Sequence, residues 1–212
     1  MRTPGNRASW LLSRLIAFVP IGGLRRWLYE RFFGYTLGGT RVGFGTIIDV
    51  RKFHAAGVRI GRFNRFHGPM MVKIGRGTVI GDRNTFTCPD WVQGSPRLIG
   101  TIELGENCLL TGLHFMDVAG SISIGDWSWL AGRGTEVWTH GAGSTENTVS
   151  IGRRSYVGSA CRFAPGSSVG DGCLVALGSV VSTRLDAFDA LIGGVPAKVL
   201  KQPYSWPSKR QA

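Results

Sequence analysis

The stretch that decides the fold runs from Ile151 to Ser182 and reads IGRRSYVGSACRFAPGSSVGDGCLVALGSVVS. An apolar residue returns in it every six positions, at Ile151, Val157, Phe163, Val169, Val175 and Val181. The next residue is always small: Gly152, Gly158, Ala164, Gly170, Ala176 and Ser182. A serine or cysteine follows four positions after each of the first five: Ser155, Cys161, Ser167, Cys173 and Ser179. A six-residue period fits neither an α-helix nor a two-faced strand, and it is typical of a parallel β-helix.

Weaker copies of the same pattern extend the repeat toward the N-terminus. They are Val42-Gly43, Ile60-Gly61, Ile74-Gly75, Ile80-Gly81, Leu104-Gly105, Leu110-Thr111, Ile124-Gly125 and Leu130-Ala131. Two segments interrupt them, Cys88 to Gly100 and Trp138 to Val149. We predict that both are loops leaving a regular coil, where repeat proteins tend to carry function.

The composition bounds the class of protein and its partners. The 212 residues suffice for one well-buried domain and a small appendage. A net charge of +12 favours polyanions, anionic membranes or phosphorylated ligands. No nucleic-acid motif accompanies the charge, so we predict no nucleic-acid partner. Cys108, Cys161 and Cys173 occupy small-residue positions as compact fillers, Cys88 lies in a loop, and none has metal-ligand spacing, which indicates reduced thiols and no metal site.

Residues 1–36 differ from the rest of the chain. They are rich in Trp, Phe and Leu and contain six arginines: Arg2, Arg7, Arg14, Arg25, Arg26 and Arg31. Arg14 and the Pro20–Gly23 break make the apolar run too short to span a bilayer, and no cleavage site of a signal peptide follows. Two interpretations stay open: two short amphipathic helices in the interface of an anionic membrane, or a helical cap on the β-helix or a trimer contact.

These patterns resemble the hexapeptide-repeat acyltransferases, and most closely the O-acetyltransferases of sugars and surface polysaccharides. The resemblance covers about residues 40–201 and includes the terminal Gly194-Val195-Pro196-Ala197-Lys198 segment. It implies an all-β fold, a left-handed parallel β-helix with an N-terminal amphipathic helical segment and a short C-terminal extension. We therefore divide the chain into a helical segment 1–36, an acyltransferase domain 37–201 and a loose basic tail 202–212.

The resemblance also implies a catalytic histidine just before a loop that separates two blocks of repeats. That position matches Trp138-Thr139-His140-Gly141. An imidazole titrates near neutral pH, so it can take a proton from a sugar hydroxyl that attacks a thioester. The alternative for His140 is an ordinary histidine in a surface loop.

Other histidines compete with His140 for a role. His114 falls where other repeats carry a small residue, and it is either a second catalytic residue or a structural exception. Asp117, close by, is a candidate for orienting an imidazole. His54 and His67 lie in weakly matching repeats, and we expect structural roles for both.

The resemblance implies that acetyl-CoA, the acyl donor, lies in a groove between subunits of a homotrimer. Carried over by position, its contacts are Tyr156, Ser159, Leu177, Ser182, Lys198 and Lys201. A lysine that commonly meets the phosphates corresponds to Thr183, and we predict that Arg184, one residue on, takes over its role. The basic residues of this set suit the phosphate charges. Glu136 stands where an aliphatic residue is expected, and we predict that Val137 turns inward instead.

The predicted function is therefore an acetyl-CoA-dependent O-acetyltransferase with a histidine general base. Its acceptor is a saccharide hydroxyl of a surface polysaccharide or a lipid-linked glycan. The predicted location is the cytoplasm, with the basic N-terminus bringing the enzyme to the inner face of the membrane. One alternative is a non-catalytic β-helix subunit used for assembly. Another is a carbonic anhydrase-like metalloenzyme. That chemistry needs three histidines, two of them a few residues apart, and the spacing of His54, His67, His114 and His140 disfavours it.

Overall fold

A computed structural model describes residues 7–206 of the chain. Arg2 and residues 207–212 of the predicted tail lie outside this range. Two helices come first, α1 (Arg7–Ala17) and α2 (Gly22–Phe33), and a short 3-10 helix spans Asp90–Gly94. Among the described residues no helix is long and apolar enough to cross a bilayer.

The strands, numbered in chain order, stack into three faces. Face 1 contains β1 (Arg41–Val42), β3 (Arg59–Ile60), β5 (Val79–Ile80), β8 (Leu109–Gly112), β11 (Trp129–Arg133), β14 (Tyr156–Val157), β17 (Leu174–Val175) and β20 (Leu191–Gly194). Face 2 contains the first halves of β2 (Ile47–Ala55) and β4 (Arg65–Ile74), then β6 (Thr85–Thr87), β9 (Phe115–Asp117), β12 (Glu136–Trp138), β15 (Arg162–Phe163) and β18 (Val180–Val181). Face 3 contains the second halves of β2 and β4, then β7 (Thr101–Leu104), β10 (Ser121–Ile124), β13 (Thr148–Ile151), β16 (Ser168–Val169) and β19 (Arg184–Leu185).

Neighbouring strands on each face pair in parallel, so the chain winds as a parallel β-helix, as the six-residue period predicts. The last strand, β21 (Ala197–Lys201), pairs antiparallel with β20 and ends the stack. The six apolar residues of the deciding stretch are all buried in the core. Glu136 faces outward to Arg162, 3.3 Å away, and Val137 is fully buried, which confirms the predicted inward turn.

Some of the small residues after the apolar positions have to be glycine because of the spacing of the coils. A Cβ added at Gly152 would lie 2.4 Å from the carbonyl carbon of Gly170 in the next coil. Strands in a stacked face lie about 4.8 Å apart, which leaves no room there for a larger residue.

The serine and cysteine positions do more than fill space. The Ser155 hydroxyl donates to the carbonyl of Gly170 at 2.9 Å and accepts the backbone N–H of Cys173 at 3.2 Å. The Cys173 thiol in turn contacts the carbonyl oxygen of Ala187 at 3.1 Å. These side chains therefore tie each coil to the next. Burial also raises the pKa of the Cys108, Cys161 and Cys173 thiols, as expected for inert core residues.

Helices α1 and α2 cover the open N-terminal end of the β-helix. On face 2 the first coil has no preceding strand, and side-chain hydroxyls take the place of one. Ser13 donates to the carbonyl of Ile48 at 2.8 Å and accepts its N–H at 3.1 Å. Tyr35 does the same for Val50, at 2.9 Å in both directions. The side of the N-terminal segment that faces the β-helix therefore fits the interpretation as a cap.

The start of the C-terminal tail packs against the β-helix. The backbone N–H of Tyr204 donates to the carbonyl of Asp189 at 2.6 Å, and the indole N–H of Trp206 donates to the carbonyl of Arg154 at 2.9 Å. The expectation of a loose tail is wrong for residues 202–206, because the indole finds both an apolar surface and a hydrogen-bond acceptor there.

Candidate active site

His140 follows strand β12 at the corner between faces 2 and 3. The residue before it, Thr139, is fully buried. Its hydroxyl accepts the N–H of Gly120 at 2.8 Å and donates to the carbonyl of Asp117 at 2.9 Å, both in the preceding coil. These bonds fix the backbone from which the imidazole projects.

Asp117 holds the imidazole of His140. One carboxylate oxygen, Oδ1, lies 2.6 Å from Nδ1 of the ring. The Asp117 side chain is 5% exposed, whereas that of His140 is 34% exposed. A carboxylate accepts the proton on Nδ1, which leaves the lone pair of Nε2 as the free basic position. The geometry therefore provides a partly exposed base with a buried orienting partner.

Trp91 lies against the same imidazole from a different part of the chain. It sits on the short 3-10 helix in the first interruption, and its ring centroid is 5.4 Å from that of His140, edge to face at 72°. Buried Val92 anchors the loop, and 53% of Trp91 is exposed. The two loops predicted as separate features thus meet at one place.

Sequence reasoning missed this meeting, although the pattern contains a signal for it. With three repeats per coil, both interruptions follow a face 2 strand, β6 in one case and β12 in the other. Loops that leave the β-helix at the same corner lie on the same side of the molecule. Gly68 lets the first loop approach closely, because a Cβ there would lie 1.9 Å from the carbonyl oxygen of Cys88.

His114 belongs to the framework of the corner between faces 1 and 2. It is 1% exposed, and burial lowers its pKa to about 4. Its Nδ1 accepts the N–H of Thr135 at 3.2 Å and its Nε2 lies 3.1 Å from the hydroxyl of Thr111. Asn84 at the same corner accepts the N–H of His114 in the same way, at 2.9 Å. The contacts of His114 therefore fit the structural alternative, and we do not include it in the reacting group.

The residues carried over for acetyl-CoA lie on several sides of one chain. Ser159 and Leu177 are neighbours at the corner between faces 1 and 2, where the N–H of Gly178 donates to the carbonyl of Ser159 at 2.9 Å. Leu177 is 80% exposed. Ser182 follows β18, two coils beyond His140 at the corner between faces 2 and 3. Two coils correspond to about 10 Å along the axis.

The remaining members of that set have partners of their own. The ring of Tyr156, on face 1, lies 5.1 Å from that of Trp206. Arg184, on face 3, forms an ion pair with Glu146 at 2.9 Å and so ties down the loop after His140. Lys198 and Lys201 are exposed on β21.

A groove on face 3 and its corner with face 1 carries a different set of residues. It is lined by both charge types, including Lys73, Arg76, Glu103 and Asp126. His140, Asp117 and Trp91 do not line it. In residues 7–206, no three His, Cys, Asp or Glu side chains converge as a metal site would require. We place the candidate chemistry at His140 because a base with an orienting partner is found there.

Comparisons with known proteins bear on the fold. No family model matches the sequence. A Mycobacterium tuberculosis protein named as a probable acetyltransferase is 26% identical over 141 residues, 64% of this chain and 46% of that protein. The chain thus spans about half the length of this curated relative.

Solved structures share the architecture. The polySia-specific acetyltransferase NeuO superposes with a TM-score of 0.52 at 15% identity, covering 84% of this chain and 86% of its own. The chain has the left-handed β-helix fold of the hexapeptide-repeat acyltransferases. LpxA of Acinetobacter baumannii gives a TM-score of 0.51 at 16% identity, covering 78% of this chain and 69% of its own. The predicted fold class is confirmed. In this hexapeptide-repeat β-helix, His140 and Trp91 both lie on segments that interrupt the regular coils.

Proposed function

We propose that this protein is an O-acetyltransferase that moves an acetyl group from acetyl-CoA to a saccharide hydroxyl. The observation that carries the proposal is the 2.6 Å contact between Asp117 and the partly exposed His140. The M. tuberculosis relative, named as an acetyltransferase, supports the reaction type. NeuO, named as specific for polySia, supports a saccharide acceptor.

His140 acts as the general base in this reaction. Its Nε2 accepts the proton of the acceptor hydroxyl as that oxygen forms a bond to the acetyl carbonyl carbon. Asp117 stabilises the resulting imidazolium through Nδ1. The carbon–sulfur bond then breaks, and the imidazolium returns its proton to the departing thiolate. An acetyl ester and a free thiol are the products, and His140 is again neutral.

Trp91 provides the surface for the acceptor. Its ring is half exposed and touches the imidazole, so a sugar lying on it presents a hydroxyl close to Nε2. Aromatic rings offer flat apolar area that suits the C–H face of a pyranose. We expect a surface polysaccharide or a lipid-linked glycan as acceptor, modified in the cytoplasm at the inner face of the membrane.

The acyl donor lies in a groove between copies of the chain in a homotrimer. Ser159, Leu177 and Ser182 contact its pantetheine arm, and Tyr156 adds an aromatic side. Arg184, Lys198 and Lys201 supply positive charge for its phosphates. These residues occupy different corners of one chain, and a groove that joins two copies can bring them onto one ligand.

The experiment that tests the proposal measures thiol release from acetyl-CoA in the presence of a panel of oligosaccharides, with mass spectrometry of the products. We expect His140→Ala to reduce turnover by about 10²- to 10⁴-fold. His54→Ala is the matched control, because His54 is an exposed histidine on face 3. Full turnover in His140→Ala would overturn the mechanism. Absence of acyl-CoA binding in calorimetry, together with absence of transfer, would instead favour the assembly-subunit alternative.

A further inference from the structure

Helix α1 exposes large apolar side chains although it packs against the β-helix. Its buried residues are Ser9, Ser13, Ile16 and Ala17. Leu11 and Leu15 on its outer side, and Phe18 just after its end, are 55%, 63% and 51% exposed. An ordinary surface helix buries its apolar stripe and exposes its polar one.

Helix α2 likewise exposes apolar side chains. Its buried residues are Arg25 and Tyr29, and Leu28 and Phe33 pack partly buried against the core. Arg25 donates to the carbonyl of Val42 at 3.1 Å, and the Tyr29 hydroxyl donates to the carbonyl of Thr46 at 2.9 Å. Leu24, Trp27 and Phe32 are 42%, 53% and 43% exposed.

Capping explains only the inward half of this arrangement. The first coil offers unpaired backbone groups, so the helices must present hydroxyl and guanidinium groups to it. No such requirement acts on the outer side, where charged residues would be compatible with the same cap. The outward leucines and aromatic rings therefore need a reason outside the fold of the monomer.

An aromatic ridge continues the apolar surface onto the first coils. The ring of Phe18 lies 5.4 Å from that of Phe44, which lies 6.0 Å from that of Phe63. Phe63 is 46% exposed and has a φ of 56°, in the left-handed region that favours glycine. The same backbone conformation recurs at the corners of other coils, for example at Leu113 and Trp127, so it belongs to the fold, and Phe63 joins the apolar surface through its exposed ring.

We propose that this surface, the docking face, binds an anionic phospholipid membrane. It consists of the exposed apolar side chains at one end of the molecule: Leu11, Leu15, Phe18, Ile21, Leu24, Trp27, Phe32, Phe44 and Phe63. Aromatic and aliphatic side chains of this kind insert at the boundary between lipid headgroups and acyl chains.

The charges around the docking face favour an anionic membrane over a second copy of the chain. Helices α1 and α2 carry five arginines and one acidic residue, Glu30. The guanidinium of Arg14 stacks 4.2 Å from the ring centroid of Trp10, so charge and aromatic surface lie together. Anionic headgroups complement such a surface. A second copy of the chain would instead bring its own arginines against these.

Docking would hold the enzyme at a lipid-linked acceptor, and that consequence rests on the proposed function. Membrane binding does not depend on the proposed function, so binding and acetyl transfer are measured separately. Binding is measured by flotation of the full chain with vesicles of pure phosphatidylcholine or of phosphatidylcholine with phosphatidylglycerol. Transfer is measured with a soluble oligosaccharide and no vesicles.

We expect the wild type to float with the anionic vesicles and to be released by high salt. The double variant Leu15→Ser/Trp27→Ser should lose binding by about tenfold or more. Leu113→Ser/Trp127→Ser is the matched control, because it makes the same changes at exposed residues farther along the β-helix, with Leu113 two coils beyond Phe63, and it should float like the wild type. Circular dichroism checks that each variant is folded, and transfer to the soluble acceptor should be equal in all three.

Two results would overturn the docking proposal. One is a wild type that stays unbound with both vesicle types, or a docking variant that floats as well as the control. The other is a fall in molar mass by light scattering, without vesicles, in the docking variant alone, which would assign the surface to a second copy. An inactive protein that still floats would overturn the proposed function and leave the docking face standing.

Discussion

Replacing His114 by asparagine should remove an acid-sensitive part of the stability of this protein. Burial lowers the pKa of His114 to about 4, from an ordinary value of 6.5. As the pH falls below 6.5, the unfolded chain binds a proton at this residue and the folded chain does not. The contribution of neutral His114 is therefore present above pH 6.5 and is lost progressively as the pH falls toward 4.

The size of the loss follows from the two pKa values. One pKa unit corresponds to about 1.4 kcal/mol, so the free energy of unfolding should fall by about 2 kcal/mol between pH 7 and pH 5 on account of His114. The full loss, below pH 4, is about 3 kcal/mol. Asparagine keeps an acceptor for the N–H of Thr135, as Asn84 does for His114 itself, and it does not titrate.

Urea unfolding followed by circular dichroism at pH 7 and pH 5 measures this difference. We expect the wild type to lose about 2 kcal/mol more than His114→Asn over that interval. Equal losses in the two proteins would refute the reasoning. Acetyl transfer at pH 7 should stay within about threefold of the wild type, since the variant keeps the corner intact. Loss of transfer from a folded His114→Asn protein would make His114 the second catalytic residue after all.

Substitutions at three further positions probe the site and its support. Asp117→Asn should lower kcat by about 10²-fold with a smaller change in KM, because a neutral amide stabilises the imidazolium less than a carboxylate and can also hold the wrong tautomer of His140. Steady-state kinetics measure the change. Gly68→Ala should destabilise the fold by about 2 kcal/mol or more, because the added Cβ collides with the carbonyl of Cys88. Acetyl transfer should also fall, since Cys88 lies in the loop that carries Trp91. An unchanged midpoint in thermal unfolding would contradict this prediction. Ser155→Ala should cost about 1–3 kcal/mol in urea unfolding, whereas Ser155→Cys should cost less, since a thiol occupies the equivalent position in neighbouring coils.

The coils were predictable from the sequence because their determinants are local and repeated. Each apolar position needs only its own hexad to be recognised, and even the irregular Glu136 could be interpreted from its neighbour Val137. The hydroxyl and thiol bonds between coils were missed, since the repeat reports the size of Ser155 and not the carbonyl that its hydroxyl reaches.

The site was predictable only in part, because it is built from loops that lack the six-residue repeat. His140 and Asp117 were both singled out, and their contact spans one coil, 23 residues apart. Trp91 was not found, since the conformation of its loop depends on packing rather than on pattern. The orientation of α1 could not be predicted either, because the spacing of apolar residues reveals an amphipathic helix without revealing which side meets the protein.

The two ends of the β-helix are capped in different ways. At the beginning, hydroxyl and guanidinium groups of the helices and of Tyr35 occupy hydrogen-bonding positions that another coil would use. At the end, β21 reverses direction, so a parallel strand cannot continue the stack through it. A bare edge at either end would template end-to-end growth into fibres. Deleting either cap, the N-terminal helices or β21, should therefore cause the protein to polymerise end to end.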